Sequence, residues 1–473
     1  MTPLLDIRNL QVDFIREGIT TTAVRNISFS LHSGKITAIV GESGSGKSIT
    51  ALSLLHLLPS NAKISGEILY SNKGSNRVSL FNMPEKELMN TRGKEIAMIF
   101  QEPMTSLNPV LTCGEQLIET LRRHLGISKK AALSKTIELF TEVELPNPDA
   151  IVKRYPHQLS GGQKQRVMIA MAMCCQPALL IADEPTTALD VRTQKSIVEL
   201  IKKLQQKNGM SVLFISHDLG LVADIADELL VMYQGSIIEQ GAAATVLNNP
   251  IHPYTKALLA CRPAVNSKGT KLPVLEDFMT ADAMIKKPLA IAAHFPAVGM
   301  ETVLSVQDLT VHFQSKKQFF GAQPAVTTAV NQVSFDVNQN EMLGIVGESG
   351  SGKTTIGRAI LQLVKPSSGK IILNGTELNN LSATELRKIR KNIQIVFQDP
   401  FGSLNPRLSI GEAIMEPLEV QHLYPGKKER KEKAISLLQQ VQLPADVFNR
   451  YPHQFSGGQR QRICIARALA SDP

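Results

Sequence analysis

The heptapeptide Gly-Glu-Ser-Gly-Ser-Gly-Lys occurs twice in this chain, at 41–47 and again at 347–353. Two longer phrases return in the same order. "IFQEPMTSLNP" at 99–109 comes back as "VFQDPFGSLNP" at 396–406, and "RYPHQLSGGQKQR" at 154–166 as "RYPHQFSGGQRQR" at 450–462. A period of about 300 residues is far too long for a solenoid, so this is a duplicated domain. The 473 residues also suit two hydrophobic cores better than one. The second copy opens at "LSVQDLTVHF", where Leu304, Val306, Leu309, Val311 and Phe313 have strand-like spacing and mirror "LDIRNLQVDF" at 5–14. The expected division is a first domain over 1–262, a linker over 263–300 rich in proline and mixed charge, and a second domain over 301–473.

Within each copy the apolar runs at 36–40 and 343–346 read as strands entering a glycine-rich loop. Helices are expected to follow at 51–58 and 358–364. Further apolar strands at 179–182 and 212–215 alternate with helices, which implies a parallel sheet buried on both faces. The fold class is therefore α/β. Each loop fits G-x-x-x-x-G-K-[ST] in full: Gly41, Glu42, Ser43, Gly44, Ser45, Gly46, Lys47 and Ser48, then Gly347, Glu348, Ser349, Gly350, Ser351, Gly352, Lys353 and Thr354. Glycines let the backbone curl so that successive N–H groups face a phosphate, and the next helix offers its positive end. Lys47 and Lys353 supply a point charge to the terminal phosphates, while Ser48 and Thr354 offer an oxygen to magnesium. ATP and Mg2+ are the expected ligands.

The run "LLIADE" ends on two acids. Its strand delivers Asp183 at the carboxyl end, where such sheets place ligands, to hold the magnesium shell. Glu184 is placed to polarise the attacking water. His217 follows a further apolar strand, and Gln101 and Gln398 each precede an acid and a proline. Either glutamine reaches metal and water in this arrangement, and His217 and Gln101 join Glu184 as the candidate catalytic set. Phe14, at the end of the opening strand, is one candidate to stack on adenine; Phe313, Phe319 and Phe320 are the alternatives in the second copy.

Together with "LSGGQ" and "FSGGQ", these residues resemble the ATPases of ABC transporters, over nearly the whole chain. The resemblance implies tandem P-loop NTPase domains of RecA-like type, each with an antiparallel β and a helical subdomain. It also implies a dimer of ATPase domains, formed within or between chains. There, ATP at one P-loop meets the signature of the other domain: Ser160, Gly161, Gly162 and Gln163, or Ser456, Gly457, Gly458 and Gln459. "NPIHPYTKALLACRP" at 249–263 is similar to the tail of peptide, oligopeptide and nickel importers. Members with two fused ATPase domains that import glutathione are the most similar. The implied function is ATP hydrolysis coupled to uptake of glutathione or di- and oligopeptides. The implied partners are two membrane permeases and, indirectly, an extracytoplasmic binding protein, with the chain peripheral on the cytoplasmic face of the inner membrane. The 101–109 loop and the helix after it are the expected docking region. Some members carry tail cysteines for an iron–sulfur cluster; the tail here has Cys261 alone, so no cluster is expected.

Composition agrees. The net charge is +9, but the basic residues are scattered, and the nearest to a run, 427–433, is broken by Glu429 and Glu432. No nucleic-acid partner is expected. The five cysteines form no CxxC pair, which fits a reducing compartment. No signal-peptide pattern opens the chain, and no apolar run approaches the roughly 20 residues of a membrane helix.

One departure stands out. Pro473 aligns with Pro177, so the second copy has no counterpart of Asp183, Glu184, Asp190 and His217 in this sequence. The strand carrying Asp183 is expected beside the P-loop strand. Its lack would expose apolar surface and an unpaired edge, so the second half is expected to be unstable as written; a truncated or interrupted reading frame is the expected explanation, and a degenerate second site the rarer one. Two other functions remain open at this point: an ABC ATPase acting on ribosomes or DNA, and a remnant that binds nucleotide without hydrolysing it.

Overall fold

The computed structural model describes residues 3–16, 18–71, 77–101, 106–187, 189–261, 273, 278, 301–314, 326–348 and 350–473. It separates into two compact units, Met1–Ala293 and His294–Pro473.

The first unit has two sheets. An antiparallel sheet joins β1 (Leu5–Arg16), β2 (Ile19–Leu31), β4 (Ala62–Tyr70) and β5 (Val78–Ser79) in the order β2-β1-β4-β5. A second, mostly parallel sheet runs β10-β9-β3-β8-β7-β6, from β3 (Ile36–Val40), β6 (Ile96–Ile99), β7 (Leu179–Asp183), β8 (Ser211–Ser216), β9 (Glu228–Tyr233) and β10 (Ser236–Ala242). Every residue of β3, β7 and β8 is buried. The period-two alternation of a strand splits those residues between two cores. Ala38, Val40, Leu180, Ala182, Val212 and Phe214 face a cluster built with helices Cys113–Leu125, Gly161–Met173 and Val191–Asn208. Ile39, Leu179, Ile181, Leu213 and Ile215 face the antiparallel sheet and Ala51 and Leu54 of helix Lys47–Leu54. Each fully buried aliphatic side chain contributes about 1.5–3 kcal/mol, so this double-sided burial fixes the sheet that carries the site.

The P-loop strand β3 pairs with β8 and β9, not with β7. The strand bearing Asp183 lies one place further out, between β6 and β8, which corrects the expected adjacency. Helix Lys47–Leu54 also starts earlier and stops sooner than the 51–58 expected.

The second unit repeats the antiparallel sheet as β11 (Thr302–Gln314), β12 (Val326–Asn338), β13 (Ser368–Leu373) and β14 (Thr376–Glu377), in the order β12-β11-β13-β14. Helices Ile410–Val420, Lys427–Gln440 and Gly457–Leu469 form their own apolar cluster around Ile414, Leu418, Leu438 and Ile463. The expected strand at 343–346 is not formed: residues 341–348 have no strand partners among the described residues, and Met342 and Val346 are 97% and 92% exposed. The reason is pairing. The first P-loop strand is held by residues 211–216 and 228–233, and among the described residues the run at 343–346 has no such neighbours. The helix after the second loop, Lys353–Ile360, likewise lies ahead of the expected 358–364. Among the described residues, no helix is long and apolar enough to cross a membrane.

Candidate functional site

β3 ends at Val40 and the chain curls at once into the first glycine-rich loop. Gly41 has φ of 152°, and a Cβ there would run into the carbonyl of Met232 on β9. Gly46 caps helix Lys47–Leu54 with φ of 101°, and its Cβ would lie 2.8 Å from the Ala23 carbonyl on β2. Only glycine fits these two left-handed, crowded positions without strain. Lys47 is buried, and its Nζ donates to the carbonyls of Gly41 and Glu42 at 2.8 Å each. Burial draws its ammonium below the usual range, against the pull of Glu184 and Asp183. Ser48 Oγ donates to Asp183 Oδ1 at 2.9 Å. Asp183, at the end of β7, is pushed up to about 6, first by burial and then by the neighbouring Glu184 charge, against the Ser48 bond.

Glu184 leaves the strand at φ of 44°, with its N–H donating to Ile215 O at 3.0 Å. Three side chains converge on its Oε2: Gln101 Nε2 at 3.1 Å, Thr187 Oγ1 at 2.9 Å and His217 Nδ1 at 3.3 Å. Burial alone would raise this carboxyl; the bonds from His217 and Thr187 reverse that and hold it at about 2. His217 is raised in turn, chiefly through its bond to Glu184. The sequence therefore offered Gln101, the adjacent Asp183 and Glu184, and His217 from three separate segments, and the fold brings Gln101 and His217 onto Glu184. Thr187 was missed; its only signal was its place three residues beyond Glu184.

The residues also fit the expected ligands. Ser45 Oγ is buried with no partner among the described residues, an orphan hydroxyl inside a loop that a phosphate would satisfy. Ser48 hydroxyl, Asp183 carboxylate and the Gln101 amide are oxygen donors, the set a hard dication such as Mg2+ takes.

Ser160 caps helix Gly161–Met173: its Oγ accepts the Gln163 N–H at 3.3 Å, and Gln163 Oε1 accepts the Ser160 N–H at 3.2 Å. Ser456 and Gln459 repeat the reciprocal cap on helix Gly457–Leu469. The N-terminal turns of both helices thus present backbone N–H groups from a fixed start. Asp190 caps helix Val191–Asn208 through the Thr193 N–H at 2.9 Å.

In the second unit Gly352 caps helix Lys353–Ile360 at φ of 95°, and Lys353 Nζ donates to the carbonyls of Gly347 and Glu348 at 2.7 and 2.6 Å. Lys353, Thr354 and Gln398 line one open cleft of about 900 Å³, with Arg467 at its edge. Phe14 is half-buried on β1 and packs against the apolar cluster of the antiparallel sheet, while Phe313 is 46% exposed. Phe319, Phe320, Ser349, Ala188, residues 102–105 and, apart from 273 and 278, the linker 263–300 lie outside the described residues.

The sequence of this chain is similar to those of known proteins. The family described as "ABC transporter" matches residues 24–187 and 330–473, and that described as "Oligopeptide/dipeptide transporter, C-terminal region" matches 238–284. The glutathione import ATP-binding protein of Salmonella paratyphi A is 48% identical over 473 residues, covering 99% of this chain and 76% of that protein. Its namesake from Escherichia coli O6:H1 is 46% identical with the same coverage.

Proposed function

Because the chain belongs to the ABC transporter family, as an ATPase with two ATP-binding regions, we propose that it hydrolyses ATP at the 41–48 loop to drive uptake of glutathione or short peptides. The observation that carries the reading is the convergence of Gln101, Thr187 and His217 on one oxygen of Glu184. This carboxylate follows Asp183, the partner of Ser48, in sequence and holds its negative charge at neutral pH.

In this reading the loop N–H groups and Lys47 cradle the phosphates, which draws the lysine off the carbonyls of Gly41 and Glu42. Ser48, Asp183 and Gln101 would hold Mg2+, which when bound offsets the charge that builds on the transferred phosphoryl oxygens. Glu184, ionised and oriented by its three donors, accepts a hydrogen bond from the attacking water and aligns it. His217 and Gln101 tie that carboxylate to β8 and β6, so its position depends on both segments. Signature segments 160–163 and 456–459 are proposed as the nucleotide's second wall, presented by a facing ATPase domain. Lys353, Thr354 and Gln398 are proposed as a second nucleotide site. Phe14 is proposed at the adenine.

The match of 238–284 to an oligopeptide and dipeptide transporter region supports transport over action on ribosomes or DNA. The proposed partners are two membrane permeases at the cytoplasmic face of the inner membrane, with an extracytoplasmic binding protein supplying substrate to them. The proposed division remains 1–262, 263–300 and 301–473. ATP hydrolysis by the purified chain and by Glu184→Gln tests the catalytic core. The variant should bind ATP and lose turnover; unchanged turnover would remove Glu184 from the mechanism.

A further inference from the structure

Helix Pro253–Ala260 reaches back 212 residues to the first phosphate loop. Tyr254 on this helix is fully buried, its ring 4.3 Å from that of Tyr233 at the end of β9. Its hydroxyl oxygen accepts the backbone N–H of Glu42 at 2.9 Å. Glu42 is also the residue whose carbonyl accepts Lys47 Nζ at 2.8 Å and the Ser45 N–H at 3.1 Å. One residue of the loop is thus held by the tail through its N–H and holds the phosphate-binding lysine through its C=O.

The tail is itself fixed. The Glu239 carboxylate on β10 accepts the N–H groups of Ile251 and His252 at 2.8 and 3.0 Å, and His252 Nδ1 accepts the Tyr254 N–H at 3.1 Å. A continuous set of hydrogen bonds therefore runs from β10 through the start of the tail helix to the entry of the loop.

We propose that Tyr254 is a positioning residue for ATP, its hydroxyl setting the entry of the 41–48 loop so that the docked tail tunes nucleotide affinity. The proposal rests on the reading of that loop as an ATP site. Without the hydroxyl the Glu42 N–H loses its partner and the loop turns to find another. The fraction of chains holding the cradle falls, and apparent affinity falls in proportion.

The test is Tyr254→Phe in the full chain, read by titration with a fluorescent ATP analogue and by steady-state hydrolysis. Loss of one such bond predicts a Kd and KM about tenfold higher, with kcat within about twofold and an unchanged melting temperature without nucleotide. A folded variant with wild-type Kd and KM overturns the proposal, as does a fall in kcat and melting temperature with KM unchanged. Should the variant fail to fold, hydrogen exchange on the wild-type chain decides. A slowly exchanging Glu42 amide without nucleotide supports the contact, and exchange at the rate of an open loop overturns it. A wild-type chain that binds no ATP overturns both this proposal and the ATP-site reading, whereas a folded Tyr254→Phe with wild-type affinity overturns this proposal alone.

Discussion

The two phosphate loops carry the same seven residues in two different settings. They share two left-handed turns: Gly44 and Gly350 have φ of 86° and 82°, and Gly46 and Gly352 have φ of 101° and 95°; they differ at the first glycine, where Gly41 is at 152° and Gly347 is not left-handed. In both, the lysine folds back onto the first two carbonyls of the loop. Their surroundings differ. Ile36–Val40 is buried between two parallel strands, while residues 341–348 have no strand partners among the described residues and Val346 is 92% exposed. The turns at the second and third glycines therefore do not depend on the parallel sheet, whereas that of Gly41, crowded by the Met232 carbonyl on β9, is found only where the sheet is present. A shared close approach accompanies these turns: a Cβ on Gly46 would meet the Ala23 carbonyl, and one on Gly352 that of Ala329, the same place on the antiparallel sheet of each unit. The parallel sheet adds what the loop alone lacks, namely a buried lysine and an ionised carboxylate held nearby.

The strongest way to break this contrast is through catalysis. Glu184→Gln should lower hydrolysis by about a hundredfold or more while nucleotide binding survives. Lys353→Ala should leave the rate within about tenfold, as measured by phosphate release. Equal losses would mean that the second loop contributes to turnover as much as the first. Packing gives the next largest effect. Ile39 is fully buried and Ile345 is 44% exposed, so Ile39→Ala should cost about 2–5 kcal/mol and Ile345→Ala within about 0.5 kcal/mol in denaturant titration. A smaller effect, equal in both halves, is expected for Gly46→Ala and Gly352→Ala. Each forces a side chain into the left-handed region against a carbonyl, at about 1–3 kcal/mol, and unequal costs would refute an equivalent setting of the two turns against the antiparallel sheet.

The smallest effect is in pH. His217 is raised above 6.5, so its contribution to stability is complete below 6.5 and disappears as pH rises through its folded value. Glu184 is held at about 2 against 4.5, so its contribution is present above 4.5 and lost as pH falls toward 2. The melting-temperature gap between wild type and His217→Ala should therefore be widest between 4.5 and 6.5 and narrow on either side. A gap independent of pH would exclude the ion pair as its source.

The sequence disclosed the chemistry well because a phosphate loop is a local object. Seven consecutive residues suffice to recognise it, and an apolar strand ending in two acids needs no distant information to be recognised. Partnership was less legible. The run at 343–346 has a strand's composition, but a strand forms only against a neighbour, and no local pattern reports whether residues far downstream supply one. The same blindness placed the Asp183 strand beside β3, when β8 lies between them. Tyr254 escaped for the complementary reason: its motif identified a tail, while its contact with Glu42 spans 212 residues and leaves no periodicity to read.

Among the described residues, every hydrogen bond given to the Glu184 carboxylate lands on Oε2. A carboxylate is a symmetric group, and these bonds make its two oxygens unequal. Oε2 becomes an axle, pinned by three segments of chain; Oε1 becomes the working end of a lever whose angle those segments set. Displacing Gln101 or His217 by a small distance would swing that end without moving the backbone of Glu184. The site can thus be switched by rotation about a side-chain bond, a far smaller motion than remaking the sheet on which it stands.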